Sequence, residues 1–237
     1  MEILKGIEIK NKALWLKKER ILVIGDLHLG YEQSLNEQGI LIPRKNFDEI
    51  FIEIKNLLKL KPKKIIILGD LKHEFGNILK QEGEDVIKLV KKLSKCSDLL
   101  VIRGNHDGVL FPLLKKENVS LLDEYFFKDF CFLHGHKIPE SLDFKKSKII
   151  IIGHEHPAIE LGDGIKKEKY KCFLLGRFKN KKLVVLPSFF PILGVNILKE
   201  KPLSPFLKKD LGNFSIFVIY KKPYFFGKLK NIRKLTN

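Results

Sequence analysis

The chain has 237 residues, 44% hydrophobic and 31% charged, a composition that excludes a disordered or fibrous protein and suffices for one well-cored domain, 1–237. No apolar run is long enough to cross a bilayer, and Met1-Glu2-Ile3-Leu4-Lys5 lacks the layout of a signal peptide, so no membrane partner and a cytoplasmic location are expected. The net charge of +17 suits a polyanion such as nucleic acid, although lysines spread evenly along a Lys- and Ile-rich chain account for much of it by composition alone.

Apolar runs predict strands at Ile21 to Ile24, Lys64 to Leu68, Leu99 to Ile102, Phe130 to Leu133 and Ile149 to Ile152. Helical stripes lie between the early strands. Phe47, Ile50, Phe51, Ile54, Leu57 and Leu58 mark a helix over Asn46 to Leu60; Val86, Ile87, Leu89, Val90 and Leu93 mark one over Gly83 to Leu93. After about Ile149 short strands dominate, at Tyr170 to Leu175, Lys182 to Leu186 and Phe214 to Tyr220. A mixed first half and a β-rich second half predict two sheets packed face to face with helices outside. Lys199 to Lys209 reads as a surface loop. The tail at about 221–237 interleaves Tyr224, Phe225 and Phe226 with Lys228, Lys230, Arg233 and Lys234, a pattern suited to single strands. Its plainer reading is aromatic rings packed on the body beside solvated lysines. Three scattered cysteines, Cys96, Cys131 and Cys172, suggest no disulfide framework and are expected to be small buried hydrophobes.

Each of the first five strands runs into a polar motif: Gly25-Asp26-Leu27-His28, Gly69-Asp70-Leu71-Lys72-His73, Gly104-Asn105-His106-Asp107, His134-Gly135-His136 and Gly153-His154-Glu155-His156. All seven histidines lie in these motifs. Imidazoles concentrated beside Asp and Asn at strand ends are the ligand set of a transition-metal hydrolase. Asp26 and His28 are two apart, so an extended segment would point both at one ion. Asp70 is the candidate bridge, because a carboxylate can span two cations and an imidazole cannot. Asn105, His134, His154 and His156 complete seven candidate ligands. With one shared, each of two ions has about four protein contacts and open positions for water and substrate. His134, directly after its strand, is preferred over His136, which is given a supporting role. Glu155, between two ligands, is expected to face the surface. Arg103 is a candidate for a phosphate contact or a plain salt bridge. Ser188, in Leu186-Pro187-Ser188-Phe189-Phe190-Pro191, lacks a nucleophile elbow and reads as structural.

In their order, these motifs resemble the calcineurin-like metallophosphoesterase superfamily, from about Ile21 to Leu186. The resemblance implies an α/β fold, a four-layer α/β/β/α sandwich of two mixed sheets, with a dinuclear centre at its edge. It implies that Asp26, His28, Asp70 and His156 hold one metal and Asp70, Asn105, His134 and His154 the other, with His106 the catalytic histidine that binds none. Gly69-Asp70-Leu71-Lys72-His73-Glu74-Phe75 and Gly153-His154-Glu155-His156-Pro157 are similar to an archaeal branch related to SbcD-type nucleases and DNA-ligase-associated phosphoesterases, in which His73 matches a second active-site histidine. Too few residues follow the core for the capping domain of SbcD-type nucleases.

The expected activity is therefore phosphodiester hydrolysis, on DNA, RNA or nucleotides, by hydroxide activated between two divalent ions: Mn first, then Fe, Zn, Co or Ni. His106, oriented by Asp107, would stabilise developing charge or protonate the leaving oxygen. The alternatives are a phosphomonoesterase of small molecules or phosphoproteins, and a non-catalytic scaffold; retention of His106 and every matched ligand weighs against the scaffold.

Overall fold

Strands buried on both faces sort their side chains by parity, and that parity sets the layers. In a computed structural model, Leu22, Ile24, Ile65, Ile67, Leu99 and Val101 point to one side of a sheet and Ile21, Val23, Ile66, Leu68, Leu100 and Ile102 to the other. The structure describes residues 1–162, 167–192, 194–197, 199–209 and 211–236, the last four by backbone only.

The first sheet has seven strands in the order Glu2–Leu4, Ile7–Lys10, Ala13–Leu16, Ile21–Ile24, Lys64–Ile67, Asp98–Ile102 and Ser120–Leu122. The first three run antiparallel and the last four are parallel neighbours. The second sheet has nine. Its path runs Val195–Asn196, Pro157–Gly162, Lys167–Phe178, Lys181–Val185, Ile149–Ile152, Phe130–Leu133 and Glu124–Phe127, with Ser215–Tyr220 and Lys222–Lys228 added beside Lys167–Phe178.

Three apolar cores follow. Helices Asn46–Leu58, Lys80–Ser94 and Phe111–Lys116 bury Phe47, Ile50, Ile54, Val86, Leu89 and Leu114 against the first sheet. The middle core joins the sheets, with Ile66 and Ile102 facing Phe132, Ile151, Phe173 and Val184. On the far side, Phe144, Phe206, Leu207, Leu229 and Ile232 cover Ile150, Ile152, Cys172 and Leu183. The result is the four-layer α/β/β/α order expected from the sequence. Among the described residues, no helix is long and apolar enough to cross a membrane.

Several expectations change. The first helix stops at Leu58 because Lys61, at φ 53°, and Pro62 cannot continue it. The second begins at Lys80, where Glu82 reaches back to the Leu79 N–H. Cys131 and Cys172 are buried, but Cys96 is exposed. Lys199 to Lys209 is no free loop: Ser204, Phe206 and Leu207 are buried there. Glu155, expected at the surface, is itself fully buried and accepts the Leu203 and Ser204 N–H groups at 3.0 and 2.9 Å. The tight turn between left-handed His154 and His156 sends its side chain inward, where those amides answer its carboxylate. The tail supplies an edge strand, Lys222–Lys228, and a helix, Leu229–Thr236; the side chains of Arg233 and Lys234 lie outside the described residues.

Candidate metal centre

The parallel strands of both sheets end at one rim, and the motif loops leave from it. Backbone bonds tie them: the Asp26 N–H donates to the Gly69 carbonyl at 3.0 Å, the His28 N–H to Asp70 at 2.9 Å, and the Gly153 N–H to His134 at 2.9 Å. Asp26, His28, Asp70, His154 and His156 all have φ between 47 and 67°. Left-handed backbone is costly for residues other than glycine and concentrates at functional sites. Asp26 and His28 thus converge through two left-handed residues, rather than as alternate members of an extended segment.

Two carboxylates organise the cluster. Asp26 and Asp70 are 0% and 2% exposed. The Asp26 carboxylate accepts the His154 N–H at 3.1 Å and lies 3.4 Å from His156 Nε2. Asp70 accepts the His106 N–H at 3.1 Å and lies 3.4 Å from His134 Nε2. A Cβ on Gly104 would collide with Asp70, and one on Gly153 with Asp26, so those glycines give the carboxylates room. Around them the imidazoles face each other by their nitrogens: His28 Nε2 to His156 Nε2 at 3.3 Å, and His134 Nε2 to His154 Nδ1 at 3.1 Å. Asn105 Oδ1 is 2.9 Å from His134 Nε2, while His134 Nδ1–H donates to the Leu68 carbonyl at 2.7 Å. That outer bond directs Nε2 inward, as in metal-binding histidines.

Asp26, His28, Asp70 and His156 form one group of donor atoms within 4.8 Å of one another; Asp70, His134 and His154 form a second, sharing Asp70. The structure thus brings together all seven expected ligands, with Asn105 beside the second group. Mutually facing imidazole nitrogens and sunken carboxylates are a donor set that fits divalent cations.

Electrostatics agree with that fit. Burial pushes the His28 imidazole down to about 3 and His154 down to about 4, so both keep free lone pairs. Burial opposes charge on His134 too, but the bond to Asp70 and the Asp26 charge outweigh it and raise it to about 9. Burial also resists charge on both carboxylates; for Asp26 the imidazoles of His156 and His134 prevail, for Asp70 chiefly His134, and both are held below their usual range.

His73 and His106 stand on the open side. His73 Nδ1 is 3.4 Å from His28 Nδ1, and His28, His73 and His106 form a third group of donors. His106 Nδ1 bonds the His73 carbonyl, leaving Nε2 toward Asp70 at 3.7 Å. Asp107 does not orient that ring. Fully buried, it accepts N–H bonds from Gly104 at 2.9 Å, Leu71 at 3.0 Å and Lys72 at 3.4 Å, and so staples two motif loops. Burial and the charge of Asp70 push its carboxyl up to about 6. His136 packs its ring 5.2 Å from His134 but, among the described residues, joins no donor group and finds no partner for its buried Nδ1. Arg103 pairs with Asp123 at 3.6 Å. Ser188 is structural: its hydroxyl accepts from Lys171 Nζ at 2.8 Å.

Sequence reasoning missed what supports these loops. Lys72 and Glu82 are both fully buried and 4.0 Å apart, and Glu82 accepts the His73 and Glu74 N–H groups at 2.8 Å each. Tyr31, Phe190 and Phe75 line the mouth, Phe75 with its ring centroid 3.7 Å from that of His106. Glu at the third position of a helix and Lys inside a G-D-x-x-H motif were the available signals.

The donors, their burial and their placement at strand ends define a metal-binding hydrolase site. The calcineurin-like phosphoesterase family matches residues 19–192, and the chain belongs to that family; it is a metal-dependent phosphoester hydrolase. No curated protein matches the sequence. Among solved structures, the nuclease MPE of Pseudomonas putida is similar at 19% identity and TM-score 0.65, covering 90% of this chain and 92% of that one. The E. coli phosphoesterase YfcE is 12% identical with TM-score 0.42, covering 84% and 87%. The first likeness shows the shared fold.

Two outcomes are expected. Glu82→Ala strands the Lys72 charge and three loop amides, and should lower stability by about 3–5 kcal/mol in denaturant unfolding, whereas Phe75→Ala, at an exposed ring, should lower it far less. Because His134 holds its proton below about 9, and a cation must displace that proton, apparent metal affinity should rise with pH from 7 to 9, by at most about tenfold per unit. Calorimetry in two buffers of different ionisation enthalpy should register the released proton.

Proposed function

We propose that the protein is a dinuclear metal-dependent phosphodiesterase acting on nucleic acid or nucleotides. The observation that carries this reading is the Asp70 carboxylate, shared by two groups of donors. Asp26, His28, Asp70 and His156 would hold one ion; Asp70, Asn105, His134 and His154 would hold the other. Manganese is the first choice, with Fe, Zn, Co and Ni compatible with the same nitrogen and oxygen donors. When bound, such a pair clamps a phosphoryl group and brings the pKa of a water toward neutrality.

Of the remaining residues, His106 acts on the leaving side, and His73 and Asp107 position the site. The His106 Nδ1–H is fixed by the His73 carbonyl, so Nε2 is the atom that donates a proton to the leaving oxygen or stabilises its charge. His73 lies against His28 and orients that ligand. Asp107 acts through the backbone, holding the Asp70 and Asn105 loops at fixed separation. A diester substrate is supported by the net charge of +17 and by the fold shared with a nuclease. We place the protein in the cytoplasm, in the SbcD-related branch that its motifs resemble, and treat residues 1–237 as one domain, since the tail covers the second sheet.

Bis(p-nitrophenyl) phosphate with added Mn²⁺ should be turned over, EDTA should abolish this, and His106→Ala should lower it by about 10²–10⁴ with metal content unchanged. Much faster hydrolysis of p-nitrophenyl phosphate would sink the diesterase reading. Asp70→Ala should lose both ions in elemental analysis; full occupancy would refute the bridge.

A further inference from the structure

The C-terminal edge of the second sheet bears an apolar surface that the metal centre does not use. Tyr220, Tyr224, Phe225 and Phe226 are 52, 42, 58 and 40% exposed. With Leu161 and Tyr170 they line a groove of about 650 Å³ between the hairpin of Pro157–Gly162 and Lys167–Phe178 and the pair Ser215–Tyr220 and Lys222–Lys228. Tyr170 meets Tyr220 edge-on at 5.7 Å, and Phe225 leans on Phe217 at 5.4 Å. Phe225, the register partner of Phe217, turns toward the middle core, whereas Tyr224, beside Val218, shares the outer face with Tyr170 and Tyr220. The exposed rings of Tyr220 and Tyr224, with Phe226 in the same lining, mark an interaction surface.

Two features identify the occupant. Two lysines stand beside the rings: Lys221 Nζ lies 5.7 Å from the Tyr220 centroid and Lys222 Nζ 5.5 Å from that of Tyr224, while Lys228 is exposed at the other end of the same strand. The carboxylate in the lining, Glu168, accepts the Tyr170 hydroxyl at 2.5 Å. A strand from a second copy is disfavoured. Lys222, Pro223 and Lys228 stand on the edge strand, as residues that blunt edge pairing do, and two chains of +17 would meet through their basic faces. Rings that accept a stacked partner, set among cations that accept phosphates, fit single-stranded nucleic acid.

We propose that this groove is a binding site for single-stranded nucleic acid, separate from the metal centre, in which bases stack on Tyr224 and Phe226 and the flanking lysines hold the backbone. The proposal extends the nucleic-acid reading of the catalytic site and is tested apart from it. A fluorescein-labelled phosphorothioate oligothymidylate, resistant to cleavage, is titrated into the metal-loaded full chain and followed by anisotropy. The wild type should bind it, more weakly as salt rises. Tyr224→Ala with Phe226→Ala should weaken binding about tenfold or more. Bis(p-nitrophenyl) phosphate turnover by the double variant should stay at the wild-type rate, which also reports that it folds. Tyr224→Trp should keep the affinity, and an unlabelled oligomer should quench the new indole; the other tryptophan, Trp15, is buried. Undiminished affinity in the double variant, or an indole left unquenched in the Tyr224→Trp variant, would overturn the site. So would a concentration-dependent wild-type dimer in sedimentation velocity that the double variant loses. If the oligomer fails to bind while bis(p-nitrophenyl) phosphate is still hydrolysed, the groove proposal falls and the diesterase reading stands.

Discussion

Three carboxyl groups, Asp26, Asp70 and Asp107, are sunk in one rim at no more than 2% exposure, and the local architecture is arranged to answer them. A buried carboxylate without partners is costly enough to protonate or to displace the chain around it. Here each receives backbone N–H groups from a loop on another strand: His154 for Asp26, His106 for Asp70, and Leu71 and Lys72, beside Gly104 of its own loop, for Asp107. Aiming amides inward forces the loops into left-handed turns, and bringing backbone so close forbids side chains at Gly104 and Gly153. The glycines that open the third and fifth motifs thus follow from carboxylate solvation.

Strain of this kind persists only where the surroundings over-determine it. Buried charged groups one layer out supply that constraint. Glu82 gathers the His73 and Glu74 amides, Glu32 those of Lys45 and Asn46 at 2.6 Å each, and Glu155 those of Leu203 and Ser204. Lys171, which burial lowers to about 7, donates to Ser188 and Phe190 and fixes the loop that places Phe190 against His28. Each of these links joins segments that share no strand, so the loops are held independently of the ladder bonds below them.

The strands feeding the motifs were legible because a short run of apolar residues, buried on both faces and ending in a polar motif, has few other fates. The candidate ligands were legible because histidine is otherwise absent from this chain. What alternation along a strand could not reveal was the route by which Asp26 and His28 converge, since both leave the extended region at the strand end. Glu155 does point away from the flanking candidate ligands, but between two left-handed residues rather than along a strand, and the far side of that loop is packed against Ser204 rather than open to water. Adjacency to His106 in sequence suggests that Asp107 contacts that ring, whereas successive residues of a tight turn point apart and its carboxylate finds three amides instead. Contacts between segments distant in the chain leave no periodic trace.

Charge is distributed unevenly, and the asymmetry bears on how a phosphate reaches the site. The protein carries +17 overall, yet its rim concentrates carboxylates around imidazoles of which burial keeps His28 and His154 neutral, His134 alone being raised by its carboxylate neighbours. Such a centre attracts cations and repels phosphate until cations fill it. The lysines on the surface act in the opposite sense, raising the local concentration of a polyanion whatever the rim contains. On the proposed reading, holding a long phosphate backbone and cutting one of its bonds would fall to different parts of the molecule. A small monoester would need only the rim and gain little from the lysines, whereas a polynucleotide would gain from both, and this is how the charge pattern supports the proposed diester over a small ester.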